Sequence, residues 1–289
     1  DFSNAGDTQT WQLEVTGNSS GYASVSDWSY DSKSFSLLSE NSPPYGIAFN
    51  NDGTKMYSCS SGTDTVVEYT LSTAFDISTA SYNNVSFSLS STATNSQGLA
   101  FNAVGTKMYV VGNSTDKIFE YDLSTAFDLS TASYNSVNLS VSSQDTNPFG
   151  ISFKPDGTSL YMVGGTNDTV FQYTLTTAFD LSTASYASKS FSVSSQETTP
   201  EGVAFNSNGT KMYVVGGAGD DINQYSLSTA YDVSTASFDN LTFSVSAQNT
   251  SPRDITFNAD GTKIYVVGGS ADSVYQYSTS EAITITWDA

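Results

Sequence analysis

The chain has no histidine, a single cysteine, six prolines and only nine Lys and Arg against 29 Asp and Glu, for a formal charge of −20 over 289 residues. Each shortage excludes something. Without histidine there is no Ser-His-Asp or Cys-His machinery and no imidazole-bound zinc. Cys59 has no second cysteine to pair with inside the chain and leaves the redox compartment open. The few cations stand in a large excess of acid, so phosphate backbones and anionic lipid surfaces are repelled, and no nucleic-acid partner is expected. No run approaches the roughly 18 to 20 apolar residues that cross a bilayer, and no basic-then-apolar leader precedes Asp1, which reads as a soluble chain without membrane insertion. The Ser-, Thr- and Asn-rich remainder suits an extracellular or virion surface.

What is present is a repeat. The segment GTKMY starts at Gly53 and returns at Gly105, Gly157 (GTSLY), Gly209 and Gly261 (GTKIY), each 52 residues after the last. Within the first copy, residues 46–50, 55–59, 66–71 and 85–89 alternate apolar and polar side chains and read as four strands. Asn51, Asp52 and Gly53 supply a tight turn between the first two, and TAFDISTASY a longer turn before the fourth. Phe49, Tyr57 and Tyr69 recur on the same beat and are read as packing between units. Residues 34–38 (SFSLL) lie 52 positions before SFSLS and lack a unit of their own, while the fifth unit departs from the pattern after Ser278. The expected fold is therefore all-β: a five-bladed β-propeller of four-stranded antiparallel blades, closed by an N-terminal strand that completes the last blade. The expected division is an extension over 1–29, the propeller over 30–279 and a β tail over 280–289. Trp11, Trp28 and Trp287 fall outside the regular units, and the alternating tails suit strands that pair with each other or dock on the body or a neighbour.

The strand, Asp-Gly-Thr turn and Lys-x-Tyr-Val strand resemble NHL- and YVTN-type propeller repeats, over about residues 30–278. The phrase STAFDxSTASY is similar to repeats in tail or surface proteins of marine phages and bacteria. That resemblance implies the propeller fold and a virion or cell-surface setting; it does not name a ligand.

Positions that break the repeat carry the functional reading. Where each fourth strand leads into the next first strand, the middle residue differs in every copy: Tyr45, Gln97, Phe149, Glu201 and Arg253, the last being the only arginine. Two aromatics, an amide, an acid and a guanidinium around a channel mouth suit a polar or sugar-like ligand, against the plainer reading of exposed positions that have drifted. Asp64, Asp116, Asp168, Asp220 and Asp272 also recur, and five acids could hold calcium, which takes six to eight oxygens. A local Asx-type turn explains them without a metal, and no cofactor is expected. Glu201, Asp254 and Asp145 are the carboxylates a glycosidase would use. The expectation drawn from all this is a non-enzymatic binding or adhesion module, recognising a host-surface glycan or protein and neighbouring virion or surface-protein domains. A structural spacer and a carboxylate-dependent glycosidase stand as alternatives.

Overall fold

Alternating strands joined by glycine turns leave each unit one way to bury its aromatics, as a small twisted sheet packed face to face on the next. The computed structural model describes residues 14–16, 24–279 and 284–286. Blade 1 comprises Pro44–Phe49, Lys55–Ser60, Thr65–Leu71 and Ala80–Ser88, hydrogen-bonded in that order from the central channel outward. Blades 2, 3 and 4 repeat it with first strands Ser96–Phe101, Pro148–Phe153 and Pro200–Phe205. Blade 5 has Pro252–Phe257, Lys263–Gly268 and Ser273–Thr279, and its fourth strand is Trp28–Ser36 from the start of the chain, pairing Phe35 with Val274 and Tyr30 with Tyr277. The expected five-bladed ring and its seam are thus both present.

Two details differ from the expected unit. The fourth strand begins at Ala80, not at residue 85, because a bulge between Tyr82 and Val85 lets the chain stay in the sheet through the segment read as a turn. Asn84 sits there in the left-handed region at φ 62°, and Ser32, Ser136, Ser188 and Asn240 repeat it. The blade pattern also starts earlier than residue 30. Val25 takes the place of Ile77 in a three-residue 3-10 turn, and Trp28 is buried against Tyr213, Phe243 and Phe257, inside the regular unit. At the other ends, the backbones of Glu14–Thr16 and Thr284–Thr286 pair antiparallel, whereas Trp11 and Trp287 lie outside the described residues.

Neighbouring blades are tied by repeated polar bonds as well as by aromatics. The hydroxyls of Tyr57, Tyr109 and Tyr265 each donate at 2.6 Å to the carbonyl oxygen of Phe127, Phe179 and Phe75 of the next blade. A buried Glu or Gln on each third strand accepts from the first N–H of the next blade's 3-10 turn: Leu129 to Glu68 (3.1 Å), Leu181 to Glu120 (2.9 Å), Val233 to Gln172 (3.2 Å), Val25 to Gln224 (3.0 Å) and Ile77 to Gln276 (3.2 Å). The last two cross the joints made by the N-terminal segment, so the circuit runs unbroken around the ring.

Candidate active site

The first strands stand so close around the axis that glycine is required on four of them. A Cβ on Gly46 would lie 2.7 Å from the Leu99 nitrogen, one on Gly98 2.6 Å from the Phe149 oxygen, and one on Gly150 2.7 Å from the Glu201 oxygen. The fifth strand carries Asp254 at this level. Its buried carboxyl reaches across the seam, accepting from the Ile47 N–H at 3.1 Å and the Ile255 N–H at 2.9 Å. Burial pushes it up to about 8, against the pull of those two donors.

One residue before each of these positions lies the variable ring, on the first strands themselves and not in free loops. Gln97 and Glu201 are buried, and Tyr45, Phe149 and Arg253 are partly buried. None of the five is an exposed position. Three of them meet: Arg253 Nη1 is 2.6 Å from Glu201 Oε1, and the Arg253 guanidinium lies 4.5 Å from the centre of the Tyr45 ring. Blades 4, 5 and 1 therefore build a cluster that the other two do not share. Gln97 instead donates to Asn95 at 2.8 Å, and Phe149 packs on the core between blades 3 and 4. Burial raises the Glu201 carboxyl to about 7 despite Arg253, which pulls it down. Glu201 Oε2, Gln97 Oε1 and Arg253 Nε are buried atoms without a hydrogen-bond partner. Two acceptors and one donor in the ring thus have no partner from the protein itself, a costly arrangement unless water or a polar ligand meets them.

The five recurrent aspartates do not converge. Asp64, Asp116, Asp168, Asp220 and Asp272 each hold a left-handed turn at φ 45–52°, a conformation that Asp tolerates. Asp64 accepts from the Asn95 N–H at 2.7 Å and Asp272 from the Ser42 hydroxyl at 2.7 Å. Among the described residues there is no group of three or more acids, Cys or His placed to hold a metal ion. Asp145 is engaged elsewhere: it is buried and ties its own loop to the next one, between the second and third strands of blade 3, by accepting from the N–H groups of Asn147, Thr166 and Asn167. The exception that sequence reasoning underused is Asp254, visible as the one break in the series Gly46, Gly98, Gly150, Gly202.

A family model described as "Lactonase, 7-bladed beta-propeller" matches residues 99–284. Among curated proteins none matches the sequence. Similar solved structures include a Bacteroides uniformis protein whose proposed activity is that of a 6-phosphogluconolactonase, 13% identical with a TM-score of 0.52 over 84% of this chain and 68% of that one. Others are a protein from Lactobacillus plantarum, 14% identical with a TM-score of 0.51 over 85% and 70%, and the periplasmic gluconolactonase of Pseudomonas aeruginosa, 12% identical with a TM-score of 0.51 over 85% and 69%. At such identities the structural likeness is one of fold. The family match is to a family of enzymes, and it overturns the expectation of a non-enzymatic binding or adhesion module. The physical source of that error is the argument from missing histidine: a buried carboxylate held near neutrality, as Glu201 is at about 7, can serve as the base instead.

Proposed function

The chain belongs to the lactonase family of seven-bladed propellers, though its own ring closes with five, and from that premise we propose that it hydrolyses the ring ester of a sugar-acid lactone at the channel mouth. The observation that carries this reading is the Glu201–Arg253–Tyr45 cluster, with its one unmatched acceptor and one unmatched donor. Arg253 donates to the lactone carbonyl oxygen and stabilises the negative charge that develops there. Glu201 takes a proton from a water molecule as the water oxygen adds to the carbonyl carbon. The ring C–O bond then breaks, and the leaving alkoxide recovers that proton from Glu201, giving the open hydroxy acid. Gln97 Oε1 and the Tyr45 face suit the hydroxyls and ring of a polyol. With nine cations against 29 acids, and the only arginine already facing Glu201, the charge favours an unphosphorylated lactone over a phosphorylated one.

The test is proton release during hydrolysis of δ-gluconolactone and of its phosphorylated counterpart, corrected for spontaneous opening. Glu201→Gln should lower kcat by roughly a hundredfold or more, and Arg253→Ala by about a hundredfold. Because the base works deprotonated, kcat/KM of the unaltered protein should rise through a midpoint near 7, set by Glu201. A flat profile together with an active Glu201→Gln protein would refute the assignment.

A further inference from the structure

At the end of the channel away from Arg253 and Glu201, the first strands open into a funnel of about 330 Å³. Its wall is made by Phe49, Phe101, Phe153, Phe205 and Phe257, below which the aliphatic side chains of the first strands narrow toward Asp254. Each of these phenylalanines already packs on a tyrosine of the preceding blade, at centroid distances from 4.3 Å (Phe205 on Tyr161) to 5.1 Å (Phe257 on Tyr213). Four of the five are partly exposed, and Phe205 is buried. The rim is mixed: the small exposed residues Ala103, Pro155 and Ala259 stand there with Asn51 and Lys154.

We propose that this funnel is a second binding site, distinct from the hydrolytic mouth, for a small uncharged aromatic molecule carrying one hydrogen-bond donor. The volume is the first argument. A dry cavity of about 150 Å³ lined by Leu, Ile and Phe binds benzene, so this one accommodates a fused two-ring compound. The lining is the second: a collar of phenyl groups offers ring contacts from all sides, and aromatic pairs gain about 0.5–1.5 kcal/mol beyond area burial. The floor supplies polarity. Each Asp254 oxygen accepts one backbone N–H, from Ile47 or Ile255, and the carbonyl oxygen of the protonated carboxyl retains a lone pair for a further donor. A charged ligand is disfavoured on either sign: an anion meets one cation, Lys154, which is already paired with Asp156 at 2.7 Å in a protein of charge −20, and an ammonium ion would lose water beside the phenyl groups and a carboxyl that burial keeps largely protonated at neutral pH.

Calorimetric titration of the whole chain with indole and with N-methylindole tests this directly. Saturable binding of indole at one site, at least tenfold tighter than N-methylindole, is the expected result. The rim double variant Ala103→Trp/Ala259→Trp, which alters only exposed positions, should weaken indole at least tenfold while lactone turnover at the mouth is retained. Absent saturation, equal affinity for the two indoles, or full binding by the rim variant would each overturn the site. Loss of lactone hydrolysis in Glu201→Gln, with indole binding intact, separates this inference from the hydrolytic one.

Discussion

Asp254 and Glu201 hold protons in the folded protein that they give up in the unfolded chain, and this has a calculable sign. Their folded values, about 8 and about 7, stand above the ordinary 3.8 and 4.5. Their contribution is therefore complete in acid and is lost as pH rises through the folded values, at roughly 1.4 kcal/mol per pH unit for each group within its window. Carboxylates held low, such as Asp76 beside Lys33 and Asp239 beside Lys211, act in the opposite sense and only in stronger acid. Urea midpoints should accordingly fall between pH 5 and 8, and Asp254→Asn should flatten much of that slope; an unaltered slope in the variant would argue that Asp254 ionises normally. At this scale the repeat made part of the site legible, since Tyr45, Glu201 and Arg253 stood out as residues that no other copy shares. What it could not reveal is that Glu201 is buried with one oxygen unmatched, because burial is a property of the closed ring and not of the local sequence.

Strands and turns carry a different kind of redundancy. Glu68 and Glu120 occupy the place of Gln172, Gln224 and Gln276, and all five accept the same N–H from the following blade. Glu120 also meets Lys107 and Asn135. Glu120→Gln should thus cost no more than about 1 kcal/mol, since three sister blades accept the same N–H with that side chain, whereas Glu120→Ala leaves the Leu181 N–H without its acceptor and Lys107 with Asp122 alone, and should cost about 2 kcal/mol in denaturant unfolding. Equal losses for the two variants would mean that the bond to Leu181 is immaterial. The glycine turns and the first three strands could be read from alternation to within two residues. The early start of the fourth strand could not, because a left-handed residue, Asn84, sits inside the strand at the bulge and interrupts the apolar–polar alternation there.

As a whole molecule the ring depends on one pairing. Removal of residues 1–36 would leave Ser273–Thr279 as an open edge and take Trp28 and Val25 out of the core between blades 4 and 5. The truncated chain should lose its single cooperative melt and associate on gel filtration; a monomeric truncation with the original transition would mean that four strands are not needed in the last blade. The seam was predictable because an unpaired copy of the fourth strand precedes the first unit. Membership of a family of enzymes was not, since a propeller scaffold serves many chemistries and only the site distinguishes them. The close contacts at Gly46, Gly98, Gly150 and Gly202 have a consequence for the bore itself. A wheel with few spokes must bring its hubs nearer together, and the missing methyl groups set how near they come. The bare backbone at these four points therefore acts as a gauge of circumference, and a bulkier hub would call for a larger wheel such as the seven-spoked one that gives the family its description.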